Sequence, residues 1–152
     1  MAKGKARSVS LKDFYPYRLS VLANMVSGQI ADRYQEFGLT IPMWRIMAVL
    51  AEHPGATATQ LTSITAMDKT TITRAVKPLI DKDYVARNSS KKDGRYSHLK
   101  LTKQGQNVYN RVMPEALAYE HALLGALNQA ERAIFNRILT KLSDHCQTQE
   151  GA

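Results

Sequence analysis

The sequence predicts a mainly α-helical fold with a small β-hairpin. Apolar residues recur at helical spacing in several separate stretches, which indicates amphipathic helices. One cationic segment with an Asp-Gly turn lies between two short strand-like stretches, which indicates a hairpin. Between Ala56 and Thr102 two short helical stretches precede this hairpin. That order predicts a winged helix-turn-helix, and the flanking helices are expected to form a dimerisation lobe.

The first two helices are predicted from an apolar stripe and from terminal residues. The first helix is expected from about Lys12 to Phe37, with a stripe formed by Leu19, Leu22, Val26, Ile30 and Phe37. Thr40 and Pro42 are residue types that open helices, and the segment His53-Pro54-Gly55 is typical of a helix end. A second helix is therefore expected between them.

The third helix is predicted from a capping box. Thr57 and Gln60 have the spacing at which a threonine hydroxyl and a glutamine side chain satisfy opposite backbone N–H groups. Leu61 and Ile64 then form a short apolar stripe, and residues 65–67 are expected to turn the chain into a fourth helix.

The fourth helix has the pattern of a DNA recognition helix. Asp68 is a favourable N-cap, and one face carries the apolar residues Ile72, Ala75, Val76 and Leu79. Short hydroxyls approach phosphates and bases closely, while cations reach further. The residues expected to contact DNA are Lys69, Thr70, Thr71, Thr73, Arg74 and Lys77. An ordinary solvated surface helix is the alternative, which the preceding helix and the following hairpin disfavour.

The hairpin is predicted to be a DNA-binding wing. Its strands are expected at 84–87 and 97–101, on either side of the segment NSSKKDGRY. Lys91, Lys92 and Arg95 are expected to contact DNA, because a narrow minor groove attracts cations. Asp93 precedes Arg95 by two residues and is expected to orient its guanidinium. The alternative is a hairpin that only increases solubility.

Two more helices are predicted after the wing. Thr102 is expected to cap a long helix that bends or breaks near Pro114. Asn128 and Glu131 have capping-box spacing for a last helix to about Cys146, with an apolar stripe formed by Ile134, Ile138 and Leu142. The terminal helices have too little sequence for a separate core. We therefore expect their apolar faces to be buried against a second copy of the chain.

These segments resemble the MarR family of winged-helix transcriptional regulators. The resemblance covers residues 11–146 and depends on two segments: LTIPMWRIMAVLAEHPGATATQLTSITAMDKTTITRAVKPLIDKDYVAR, and the hairpin's D-x-R followed by LKLTKQG. It implies an obligate homodimer that binds inverted-repeat operators in double-stranded DNA. It also implies a regulator that usually represses and is often released by a small ligand.

The expected domain organisation is one MarR-like domain between two tails. The domain spans 11–147, with a DNA-binding lobe at about 40–101. The other segments are the dimerisation helices at about 11–37 and 102–147, a flexible basic tail at 1–10 and a second tail at 148–152.

Composition independently favours a DNA partner and a cytoplasmic location. The chain of 152 residues has 21 Lys and Arg against 13 Asp and Glu, a formal charge of +8 and a pI near 9.7. Such a surplus favours a polyanionic partner. No apolar run approaches the roughly 18 residues that span a membrane, and the first residues lack the apolar core of a signal peptide. A single cysteine excludes an intramolecular disulfide.

Other functional classes receive less support. The histidines are scattered without metal-ligand spacing, at positions 53, 98, 121 and 145, and no catalytic motif is present. We therefore expect no catalytic residue, metal or cofactor. Two alternatives remain: a regulator that senses redox state through Cys146, and a nucleoid-type protein that coats DNA nonspecifically through its basic charge.

In the family that the chain resembles, effectors commonly bind between the dimerisation helices and the DNA-binding lobe. The side chains expected to line such a site are Tyr15, Arg18, Trp44, Arg45 and Tyr109. Aromatic faces with guanidinium groups suit an aromatic carboxylate or its thioester. The alternative is that Trp44 belongs to the core and the arginines are structural.

Overall fold

The computed structural model describes residues 10–89 and 97–150. Its α-helices are α1 (Tyr15–Ala31), α2 (Ile41–Glu52), α3 (Ala58–Thr65), α4 (Lys69–Asp81), α5 (Lys103–Leu124) and α6 (Gln129–Glu150). Its strands are β1 (Ala56–Thr57), β2 (Val85–Ser89) and β3 (Ser97–Leu101). The residue contacts divide the chain into two compact units, Met1–Met113 and Pro114–Ala152, with the boundary inside α5. The expected mainly helical winged fold is confirmed.

The first helix is shorter than its apolar stripe predicted. Instead of one helix over 12–37, a 3-10 turn at Leu11–Asp13 precedes α1, and a second 3-10 turn at Gln35–Phe37 follows it. Gly38 has a φ of +66° and ends that second turn in the left-handed region, which glycine adopts without steric cost. None of the residues of α1 is fully buried.

The core of the first unit lies among α2, α3, α4 and the sheet. Met43 N–H donates to the Thr40 hydroxyl at 3.4 Å, so Thr40 caps α2 as expected. The three helices and the strands β2 and β3 all contribute large, fully buried apolar side chains. These are Ile46, Met47, Leu50, Leu61, Ile72, Leu79, Val85 and Leu99. The buried face expected for α4 is confirmed.

The capping box of α3 is confirmed, but its apolar stripe is only half correct. Thr57 N–H donates to Gln60 Oε1 at 2.8 Å, and Gln60 N–H donates to Thr57 Oγ1 at 3.2 Å. Leu61 is completely buried, whereas the expected stripe was wrong at Ile64, which is 50% exposed. Three residues rotate a helix by about 300°, so Ile64 lies about 60° around the axis from Leu61 and outside the buried side.

The sheet has three antiparallel strands in the order β1-β3-β2. The two wing strands pair from Val85 opposite Leu101 to Ser89 opposite Ser97, which confirms the hairpin strands with a start one residue later than expected. The additional strand β1 pairs Ala56 with Leu99. A two-residue strand has no periodicity that sequence patterns can detect.

The helix α5 begins as expected and continues through its proline. Gly105 N–H donates to Thr102 Oγ1 at 2.9 Å, so Thr102 caps the helix. The helix includes Pro114 and ends at Leu124, so the expected break is wrong, while the alternative, a bend, stays a prediction.

In the second unit, α6 is opened by the expected capping box. Asn128 N–H donates to Glu131 Oε2 at 2.8 Å, and Glu131 N–H donates to Asn128 Oδ1 at 2.9 Å. The helix extends to Glu150, so residues 148–150 continue it, although they were expected to belong to a tail.

Candidate nucleic-acid interface

The start of α4 is held by its N-cap aspartate. Thr71 N–H donates to Asp68 Oδ1 at 2.8 Å, and the Thr71 hydroxyl donates to Asp68 Oδ2 at 2.6 Å. Both hydrogen bonds lower the pKa of Asp68, because they favour the charged carboxylate, and the bond from the Thr71 hydroxyl has the larger effect. The cap therefore fixes where the helix begins and which residues its exposed face presents.

The outward face of α4 presents three cations and two hydroxyl groups. The expected contact residues Lys69, Thr70, Thr73, Arg74 and Lys77 are all exposed, opposite the buried apolar face. Among the described residues, no carboxylate forms an ion pair with Lys69, Arg74 or Lys77. Cations without such partners are well suited to bind phosphates or the acceptor edges of bases.

Two of the predicted contact residues, Thr71 and Thr73, use their hydroxyl protons in hydrogen bonds within the protein. Thr71 is only partly exposed, and its hydroxyl is a donor within the N-cap. The Thr73 hydroxyl donates to the Lys69 carbonyl at 2.9 Å. Both oxygens keep lone pairs, so toward DNA these side chains are better acceptors and spacers than donors.

A cavity of about 160 Å³ lies where α3, α4 and the wing strands meet. It is lined by Ala58, Ile72, Thr73, Val76, Arg87, Ser97 and Leu99. The Ser97 Oγ is buried there and has no hydrogen-bond partner in the part of the chain that the structure describes. Arg87 is exposed at the same cavity and so adds a cation beside α4. From the sequence, Arg87 was expected only as part of a strand, although its charge next to a basic hairpin was a usable signal.

The tip of the wing lies outside the described residues. Lys91, Lys92, Asp93 and Arg95 all belong to it, so their expected contacts and the orienting role of Asp93 stay predictions.

Trp44 is part of a buried aromatic stack. Its ring lies between those of Tyr34 and Tyr109, at centroid distances of 5.5 and 5.6 Å. Only 7% of Trp44 is exposed, which favours the interpretation that it belongs to the core. Tyr34 was not predicted to lie in this stack, because no local pattern in the sequence relates it to Trp44. Its hydroxyl is buried and has no partner among the described residues, and burial raises its pKa, opposed by the charge of Arg45.

The other expected effector residues lie in separate contacts. Arg45 is exposed and donates from Nη2 to Ser27 Oγ at 3.1 Å. The Arg18 guanidinium lies 5.6 Å from the ring centre of Tyr15, which is 71% exposed. In the described ranges, ring contacts join Trp44 to Tyr109 and Tyr15 to Arg18, but they do not join these two pairs. The effector role of the five residues stays a prediction.

The described residues contain no cluster of three side chains able to hold a metal ion. The His98 ring Nδ1 lies 2.8 Å from the Gly55 carbonyl, where it joins the wing to the turn before β1. Cys146 is exposed on α6, and the redox alternative stays a hypothesis.

Within residues 10–89 and 97–150, every helix is too short or too polar to cross a membrane.

Residues 37–95, from the turn before α2 into the wing, match the model of the MarR family. An uncharacterised HTH-type transcriptional regulator from Bacillus cereus is 25% identical over 126 residues, which cover 82% of this chain and 84% of the relative. The matched segment thus contains the described helix pair and the candidate interface.

Solved structures extend the likeness beyond that segment. A MarR/EmrR family transcriptional regulator from Acinetobacter sp. ADP1 has a TM-score of 0.84 and 27% identity, with 92% of this chain and 99% of that one covered. A putative MarR family regulator from Listeria monocytogenes, solved with a 26mer DNA, shares the fold at a TM-score of 0.80 and 21% identity, covering 88% of each chain. Residues 37–95 thus match the MarR family, and the fold of the chain is similar to that of a winged-helix transcriptional regulator of this family.

Proposed function

We propose that the protein is a homodimeric, sequence-specific repressor in the cytoplasm that binds an inverted-repeat operator. One observation carries the proposal: α4 buries its apolar face completely and exposes Lys69, Thr70, Thr73, Arg74 and Lys77 on the other. The DNA complex of the Listeria regulator supports double-stranded DNA as the partner. This face is the part of the described chain best suited to a major groove.

The exposed face of α4 divides into two kinds of contact. Arg74 is expected to reach base edges, because a guanidinium forms paired hydrogen bonds with guanine. Lys69 and Lys77 are better suited to phosphates, which fix position without specifying sequence. The wing cations Lys91, Lys92 and Arg95 are proposed to bind the adjacent backbone or minor groove.

Exposed apolar residues support the homodimer. On α1 they include Leu19, Leu22 and Met25, and on α6 they are Ile134, Phe135, Ile138, Leu139 and Leu142. Soluble monomers rarely expose contiguous apolar patches of this kind, so each set is expected to be covered by a second copy. In such a dimer, the two α4 helices address half-sites about 34–36 Å apart, one turn of DNA.

A small effector is proposed to release the DNA, as is common in the family. The exposed Arg18 guanidinium beside the exposed ring of Tyr15, and the exposed cation of Arg45, favour an aromatic acid or its thioester. Such a ligand releases DNA only if it binds better to the form of the dimer that does not fit the operator.

Competition binding tests this function. An operator is first selected from a pool of random-sequence duplexes, and its affinity is compared with that of a scrambled duplex at physiological salt. We expect the operator to bind about a thousandfold more tightly or better. Arg74→Ala should reduce that preference by about 1–3 kcal/mol. Arg137→Ala, which removes the same charge from an exposed position on α6, should keep it.

Equal affinity of the wild-type protein for both duplexes would contradict the regulator and support nonspecific coating. Equal effects of the two arginine substitutions would move the DNA-binding face away from α4.

A further inference from the structure

The C-terminal end of α4 is joined directly to the first turn of α5. After Asp81 the chain reverses at Asp83, which has a left-handed φ of +56°. Tyr84 N–H donates back to the Leu79 carbonyl at 2.9 Å and so closes the end of the helix. This turn leaves the carbonyls of Asp83 and Tyr84 available to α5.

Thr102 binds both of these carbonyls. Its hydroxyl donates to the Asp83 carbonyl at 2.5 Å, and its backbone N–H donates to the Tyr84 carbonyl at 3.1 Å. The same hydroxyl accepts from Gly105 N–H at 2.9 Å. One threonine therefore caps α5 and holds the turn that ends the recognition helix.

Gly105 allows the two segments to approach this closely. A Cβ atom at this position would lie 1.9 Å from the Tyr84 carbonyl oxygen and 2.8 Å from its carbon. Both neighbours are backbone atoms, so any side chain would have to displace the turn itself. The close approach requires glycine at this position.

Packing and hydrogen bonds constrain α4 in different ways. The apolar face that α4 buries against the core selects its orientation, but apolar contact is non-directional. Hydrogen bonds depend on distance and angle. The bonds from Thr102 therefore determine where α4 ends relative to the start of α5.

We propose that Thr102 and Gly105 are positioning residues, which set the place of the recognition helix on α5 and so the operator spacing that the dimer accepts. The inference rests on the proposed dimeric function. Neither residue lies on the exposed face of α4, so a substitution there affects DNA binding by changing the position of α4 and not by removing a contact with DNA.

The test uses Thr102→Val, which keeps the shape and the backbone N–H but removes the hydroxyl. Thr102→Ser, which keeps the hydroxyl, is the matched control. Each protein is titrated with the selected operator, with operators whose half-sites are one base pair closer or further apart, and with scrambled duplex. For Thr102→Val we expect about tenfold weaker binding at the native spacing, since one hydroxyl makes two hydrogen bonds.

The discriminating result is the dependence on spacing. Thr102→Val should tolerate or prefer an altered spacing and bind scrambled duplex as the wild type does, while Thr102→Ser should match the wild type throughout. Gly105→Ala should change the spacing preference in the same direction and more strongly.

Two results would overturn the proposal. One is a wild-type spacing profile for Thr102→Val, and the other is an equal loss on every duplex together with a lower melting temperature, which indicates only instability. A wild-type protein that does not distinguish operator from scrambled duplex would instead contradict the proposed function itself.

Discussion

The helices α4 and α1 are both amphipathic, but their apolar faces have different environments. In α4, Ile72 and Leu79 are completely buried within the chain. In α1, Leu19 and Leu22 remain about half exposed, at 50% and 49%. The apolar residues of α6 resemble those of α1, with 46% of Ile138 exposed. An apolar stripe therefore predicts that a helix has a partner, but not whether the partner is in the same chain.

The largest expected effect compares the same truncation in the two environments. Leu79→Ala should reduce the free energy of unfolding by about 2–5 kcal/mol, because it leaves a cavity in a packed core. Leu22→Ala removes a side chain that is half exposed in the single chain, so it should reduce the free energy of unfolding of the dissociated protomer by much less. Urea denaturation at a protomer concentration too low for dimerisation measures both values. Equal losses would show that α1 is packed within its own chain as tightly as α4.

The next effect concerns the exposed face of α4. Arg74→Ala should weaken operator binding by about 1–3 kcal/mol and relax the preference at one base position. Lys91→Ala should weaken binding to all sequences alike and reduce the salt dependence by about one unit. Binding isotherms at several salt concentrations separate these outcomes. An unchanged affinity in Arg74→Ala at every salt concentration would remove that residue from the interface.

A smaller effect is expected for the apolar face of α6. Leu139→Glu should raise the dissociation constant of the dimer by about tenfold or more, because burying a carboxylate without a partner is unfavourable. The matched control is Thr140→Glu, which adds the same charge at the neighbouring exposed position. Sedimentation over a range of concentrations measures both constants. If the two substitutions weaken the dimer equally, the partner does not cover Leu139.

The smallest effect is the pH dependence of the N-cap of α4. Hydrogen bonds from Thr71 lower the folded-state pKa of Asp68 below its ordinary value of 3.8. The resulting stabilisation is complete above that ordinary value and is lost as pH falls through the folded pKa. The melting-temperature difference between wild type and Asp68→Asn should therefore shrink at acidic pH. A difference that stays constant down to about pH 2 would contradict this linkage.

Local features of the site were predictable because they depend on residues a few positions apart. The capping boxes of α3 and α6, the N-cap at Asp68 and the buried face of α4 all follow from short spacings. The same is true of the exposed residues of the recognition helix, since burying Ile72 and Leu79 leaves Arg74 on the other side.

Only the tertiary structure decided the contacts between distant segments. The pairing of β1 with β3 depends on Leu99, far along the chain from Ala56. The sequence could not show where the ring of Trp44 lies; the fold places it between those of Tyr34 and Tyr109 and leaves 7% of the residue exposed. The sequence also shows a glycine at position 105, but not why it is needed. The fold brings the Tyr84 carbonyl so close that there is no room for a side chain at this position. Periodicity and capping report on neighbours along the chain, whereas these contacts arise from packing in three dimensions.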